Sequence, residues 1–76
     1  MILEKLRSLI ADQLGVDGSN ITMDTNFVED LDADSIDIME LMMAVEETFD
    51  VGEVEETALE SLKTVGDVVG YISDRL

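Results

Sequence analysis

The chain is 76 residues long, has no cysteine and no histidine, and sets 19 acids against four cations for a net charge of −15. That length makes one small domain, residues 1–76, able to bury only about 60% of its unfolded-chain surface. Without cysteine there are no disulfides and no protein thiol chemistry; without histidine a self-contained hydrolytic triad is excluded; and a surface this acidic repels nucleic acid and anionic lipid.

The charge is unevenly spread. Sixteen of the acids lie between Ser8 and Leu62, where there is no cation, and the four cations are Lys5, Arg7, Lys63 and Arg75. Such a surface is steered toward basic patches on other proteins, although acids also serve simply to keep a protein in solution. Glu4, Lys5 and Arg7 interrupt the apolar positions that a signal peptide would need, and the longest apolar run, Leu41 to Val45, is five residues. A cytoplasmic monomer with no membrane span is therefore expected.

The first helix is expected from about Ile2 to Leu14. Leu3, Leu6, Ile10 and Leu14 repeat along one side, Leu9 widens it, and Gly15 suits the left-handed residue that ends a helix. Val16 to Ala33 then reads as a long connection without regular structure, with turn chemistry at Asp17-Gly18-Ser19-Asn20 and at Asp24-Thr25-Asn26. Ile21, Phe27 and Leu31 are its apolar anchors. Connections this long in a compact fold are usually functional, and this one delivers Ser35.

Asp34 is a good N-cap, and Ile36 to Phe49 runs without Gly or Pro, with Ile38, Leu41, Met42, Val45 and Phe49 at spacings of three and four. Ser35 thus falls in the first turn of an amphipathic helix. Unpaired backbone N–H groups and the positive end of the helix dipole meet there, an environment that favours a phosphate ester on its hydroxyl. At about 100° per residue, Ile36, Met39 and Met43 fall roughly opposite Leu41, between Glu46 on one side and Glu40 and Glu47 on the other. A strip of this kind can be core contacted from a second side. Two adaptable methionines beside a modifiable serine point instead to an outward docking surface.

Asp50-Val51-Gly52 breaks the second helix. Val54 to Leu62 holds one or two turns of a third, with Val54, Ala58, Leu59 and Leu62 available to pack. Glu53, Glu55, Glu56 and Glu60 make it poor at standing alone, so it is expected to be the most mobile element. The last helix begins at Thr64, which has capping-box spacing with Asp67. Val65, Val68, Val69, Ile72 and Leu76 share its buried face, and Gly66 and Gly70 fall on the solvent side. The sum is an all-α fold, a small antiparallel bundle of three long helices plus one short one, with a long first loop.

The stretch from Phe27 to Asp37, followed by Met39-Glu40-Leu41 and Ala44-Val45-Glu46-Glu47, resembles the acyl carrier proteins of type II fatty acid synthesis. Their signature is an Asp-Ser-Leu triplet opening the second helix, matched here by Asp34-Ser35-Ile36. The similarity extends to Gln13-Leu14-Gly15-Val16 and to Thr64-Val65-Gly66-Asp67-Val68-Val69 with Tyr71-Ile72. It implies a carrier and not an enzyme. A Mg-dependent phosphopantetheinyl transferase moves 4′-phosphopantetheine from coenzyme A onto the serine matching Ser35, and the thiol of that arm holds fatty acyl intermediates as thioesters. By the same resemblance Asp34, Asp37, Glu40, Glu46 and Glu47 meet basic patches on the transferase and on fatty acid synthesis enzymes, and Ile36, Met39 and Met43 are exposed apolar contacts. Leu41, Val45, Phe49 and Leu59 are the expected lining for an acyl chain folded back among the helices.

Three departures stand out: Asp32 where the family usually has Gly, Ile36 for the commoner Leu, and the absence of the family's frequent Ile-Pro after the second helix. Two other readings, and beside them a weaker one of a pure interaction domain without modification, remain open at this stage. One is a related carrier of polyketide or aminoacyl intermediates. The other is an acidic calcium module, in which Asp30, Asp32 and Asp34 mimic the first ligands of an EF-hand loop, but Ser35 stands where that loop needs Gly and Leu41 where it needs Glu. No specific metal site is expected, only loose divalent binding that relieves self-repulsion.

Overall fold

In the computed structural model, which describes residues 2–76 and Glu56 through its backbone only, the elements are α1 (Ile2–Leu14), a 3-10 turn (Gly18–Asn20), α2 (Ser35–Phe49), α3 (Glu56–Ser61) and α4 (Val65–Arg75). The described residues form no strand, only one isolated bridge between Asn26 and Thr64. The arrangement is a small all-α bundle in which α1 packs against both α2 and α4.

Helix α1 has the limits that its sequence pattern predicts. Leu6 and Ile10 are fully buried, while Leu3, Leu9 and Leu14 pack half-buried around them. Gly15 ends the helix at φ +66°, with its N–H donating to Ala11 O at 2.9 Å, the left-handed closure for which glycine carries no steric penalty.

The first connection is more ordered than its composition suggests. Asp17 accepts from the Ser19 N–H and hydroxyl at 2.9 and 2.8 Å, and these bonds hold its carboxyl below the ordinary value. Thr25 is buried, and its Oγ1 accepts from Thr22 N at 2.8 Å. Ile21 and Phe27 are buried anchors, as predicted, and Leu31 is half-buried. The connection is then sewn to the start of α4 by three backbone bonds: Phe27 N to Lys63 O at 3.0 Å, Val65 N to Thr25 O at 2.9 Å and Gly66 N to Met23 O at 2.8 Å.

At the head of α4 the predicted capping box forms. Asp67 N donates to Thr64 Oγ1 at 3.2 Å, and the Asp67 carboxylate accepts from Thr64 N and Lys63 N, both at 3.1 Å. These bonds, the one from the Thr64 backbone foremost, hold the Asp67 carboxyl below its ordinary value. Val65, Val68 and Ile72 face the core with Val69 beside them. Leu76 does not join them: it is 71% exposed, one residue past the helix end. Arg75 lies 3.6 Å over the Tyr71 ring, and its Nη1 donates to Tyr71 O at 3.3 Å.

Gly66 also departs from expectation. The periodicity places it on the solvent side with Gly70, but the first connection covers it, and a Cβ there would lie 2.9 Å from Met23 O. A Cβ on Gly70 meets nothing within 4 Å. Opposite effects follow from one chemical change. Gly66→Ala should lose about 1–3 kcal/mol by forcing the seam apart, whereas Gly70→Ala should gain up to about 1 kcal/mol from helix propensity. Urea unfolding of the two variants measures both, and a Gly66→Ala protein as stable as its parent would contradict the close approach.

Candidate functional site

Ser35 is the first residue of α2 and is exposed. The helix start is held by a reciprocal pair: Asp34 Oδ1 accepts from Asp37 N at 2.9 Å, and Asp37 Oδ2 accepts from Asp34 N at 3.2 Å. The sequence identifies Asp34 as the N-cap. It gives Asp37 no structural role, although an acid three residues after the cap is the signal for one. The amides of Ser35 and Ile36, in the first turn, point out beyond the helix end together with the positive pole of the dipole.

Behind the cap the chain is anchored. Ala33 is buried and its N–H donates to the carbonyl of Phe27 at 2.9 Å, and Phe27 is itself fully buried. Asn26 stabilises the intervening turn through its side-chain oxygen, which accepts from Val28 N and Glu29 N at 2.9 Å, while Asp30 accepts from Asn26 N at 2.7 Å. Asp32 sits in this turn at φ +54°, a left-handed conformation that favours glycine. Ser35 is therefore carried by a helix tip that is fixed on both sides.

From Ser35 an open groove of about 410 Å³ runs between α2 and α3, lined by Ile38, Met39, Leu59 and Glu60. It shares Ile38, Leu59 and Glu60 with a hollow of about 350 Å³ that reaches Val28, Leu62 and Lys63. On the other side it shares Met39 and Leu59 with a hollow of about 520 Å³ bordered by Met43, Glu46, Glu53 and Val54. Leu59 borders all three. Of the lining expected from sequence, Leu41 and Val45 are closed off in the core at 0% exposure, and Phe49 lies at the far end of α2 near Ile2, Lys5 and Leu76. Leu59 alone meets the groove. A helix-face pattern ranks Leu41 and Val45 as inward, and inward here means buried in the core and not open to the groove.

The outward strip is present. Ile36, Met39 and Met43 are 62%, 46% and 57% exposed. Asp34, Glu40 and Glu47 are exposed, Asp37 and Glu46 half-buried. Glu46 is already engaged, because its Oε1 accepts from Val54 N at 2.6 Å. Among the described residues no three carboxylates converge as a metal site. Asp30 and Asp34, needed by the calcium-loop reading, are turned to the backbone amides of Asn26 and Asp37.

Residues 4–72 match the family described as phosphopantetheine attachment site. The acyl carrier protein of Clostridium acetobutylicum is 53% identical over 72 residues, covering 95% of this chain and 92% of that protein. That of Akkermansia muciniphila is 55% identical over 71 residues, covering 93% and 88%. Among solved structures, an acyl carrier protein from Enterococcus faecalis, described for its high thermal stability, is similar with a TM-score of 0.81 and 31% identity, over 99% of this chain and 94% of that one.

Asp32, at φ +54°, holds a backbone conformation that costs glycine nothing. Asp32→Gly should raise stability by up to about 1 kcal/mol, since aspartate tolerates this conformation better than most residues but less well than glycine. Thermal unfolding at matched ionic strength reads the change, and a lowered melting temperature would mean that the Asp32 carboxylate stabilises the turn.

Proposed function

The chain belongs to the phosphopantetheine-attachment family, among its acyl carrier proteins, and from that premise we propose that the hydroxyl of Ser35 is the attachment point. The protein is a carrier of fatty acyl intermediates and not an enzyme, and 4′-phosphopantetheine is its group. When bound, that group supplies the thiol that this cysteine-free chain lacks, and the acyl cargo is held on it as a thioester. No helix among the described residues is long and apolar enough to cross a membrane.

The observation that carries the assignment is an exposed hydroxyl on the first turn of α2, on the rim of an apolar groove. The fit is chemical as well as steric. A phosphodiester on Ser35 Oγ is monoanionic, and the free amides of the first turn with the helix dipole favour an anion there. Asp34 opposes it, but the carboxylate of Asp34 is directed at Asp37 N. The groove past Ile38, Met39 and Leu59 gives the cargo an apolar wall next to its tether.

Docking follows from the same helix. Ile36, Met39 and Met43 are apolar contacts, and Asp34, Asp37, Glu40, Glu46 and Glu47 surround them with negative charge. The partners that fit are the phosphopantetheinyl transferase and fatty acid synthesis enzymes bearing basic patches, with the acids setting encounter rate and register while the apolar strip supplies the buried centre.

Incubation with coenzyme A, magnesium and a promiscuous phosphopantetheinyl transferase should add one arm to the intact mass, and Ser35→Ala should abolish it. An unmodified parent, or a modified Ser35→Ala, would defeat the assignment. Glu40→Lys or Glu47→Lys should weaken binding to a fatty acid synthesis enzyme several-fold at low salt, with less effect at high salt. Glu4→Lys on α1 makes the same change in net charge, so equal losses from all three would mean that overall charge, and not this face, governs docking.

A further inference from the structure

Helix α3 is held differently at its two ends. Beyond its C-terminal end, Lys63 O accepts from Phe27 N within the backbone seam, and Leu62 is buried. At its N-terminal end the cap residue Glu55 makes no side-chain bond to the helix. The connection leading into it turns twice through left-handed residues, Asp50 at φ +54° and Gly52 at φ +81°. Among the described residues, two hydrogen bonds tie this connection back to α2: Asp50 N to Glu46 O at 3.0 Å, which closes the helix end, and Val54 N to the Glu46 carboxylate at 2.6 Å. One end of α3 is thus fixed by several backbone bonds; at the other, beyond the α2 cap, the hydrogen bond among the described residues comes from a side chain on the partner-facing helix, beside the half-buried packing of Val51 and Val54.

That side chain borders a cavity as well. Glu46 and Val54 line the hollow that continues the Ser35 groove past Met39 and Leu59. Whatever holds Val54 against α2 therefore holds the wall of the cargo groove. Glu46 is only half-buried, so an arriving cation can reach its carboxylate. A carboxylate accepts from a backbone amide and from an ammonium or guanidinium group, and a cation that turns the Glu46 side chain outward withdraws Oε1 from Val54 N.

We propose that Glu46 is a positioning residue that clasps α3 over the groove, and that a basic side chain of a docking partner takes this carboxylate from Val54, freeing the N-terminal end of α3 and loosening the cargo's lid. The inference deepens the carrier reading, since it couples the docking face to the groove beside Ser35. It accounts for an acid on the docking face being spent on an internal bond while Glu40 and Glu47 beside it stay exposed.

The clasp is tested first on the protein without its arm, by amide hydrogen exchange, so that the outcome does not depend on attachment at Ser35. Glu46→Ala should speed exchange at Val54 about 10- to 100-fold, the range set by losing a hydrogen bond to a charged acceptor, with the Ala58 and Leu59 amides following. Glu46→Gln, which keeps an acceptor, should fall between, and Glu4→Ala on α1 should stay near the parent. An oligoarginine peptide should speed Val54 exchange in the parent and leave Glu46→Ala unchanged. Unaltered Val54 exchange in Glu46→Ala, or slower exchange in the parent on adding peptide, would overturn the clasp.

The coupling to cargo is tested on protein loaded with an octanoyl thioester. Hydroxylamine attacks the thioester carbonyl to give the hydroxamic acid and the free thiol. This cleavage should run several-fold faster in Glu46→Ala than in the parent or in Glu4→Ala. Equal cleavage rates with accelerated Val54 exchange would mean that the bond orders the connection but does not guard the cargo.

Discussion

Two carboxylates three residues apart, Asp34 and Asp37, each accepting the other's backbone N–H, fix the point in space that everything else in this molecule serves. A serine at a frayed helix end would wander and its neighbouring amides would point nowhere in particular. The reciprocal bonds satisfy the amides that would otherwise loosen the first turn, and the Ala33 to Phe27 bond fixes the chain just before it. Phe27 is in turn tied to Lys63, so the tip of α2 is referenced to the head of α4 through the loop between them. The long first connection is thus a rigid bracket, and its length is what lets it reach both helices.

The same chemistry recurs across a chain that has too few cations to neutralise its acids. Asp17, Asp30, Asp34, Asp37, Glu46 and Asp67 all accept from backbone N–H groups at turns, caps or connections. A charged acceptor makes a stronger hydrogen bond than a neutral one, so part of the excess charge is turned to holding the backbone where the helices stop. The acids without such roles, Glu40 and Glu47 among them, are left with only solvent and partners to answer them. At physiological salt their fields extend only about 8 Å, so their placement around Ile36, Met39 and Met43 matters more than the total.

What could be read from sequence was what local pattern determines. The limits of α1, the Asp34 cap, the Thr64 and Asp67 box and the outward strip on α2 all follow from spacings within two turns of helix. What escaped was set by distant chain. Gly66 looks like a solvent-side glycine on a helical wheel because the wheel knows nothing of Met23, whose carbonyl arrives from 43 positions earlier in the chain to take the Gly66 N–H. Ala33 has no periodic neighbour to mark it as buried. Leu41 and Val45 were correctly inward, but inwardness does not distinguish a packed core from a cavity wall, and the groove opened instead at Leu59. Glu46 was legible as a surface acid and not as the acceptor for Val54, since nothing in a helix pattern states where the next connection will fold back.

A carrier has to combine an attachment point that does not move with a wall that does. The two demands fall on different parts of this chain. The tip of α2 is bracketed by cap, turn and seam, whereas α3 is six residues long, shorter than any helix that holds together alone in water. Its stability comes from what lies at its ends and from the burial of Leu62, with Leu59 only partly covered. An element so dependent on its tethers changes position when a tether is exchanged, without disturbing the core formed by α1, α2 and α4. That separation lets a domain with a thin stability margin open a groove beside Ser35 without unfolding.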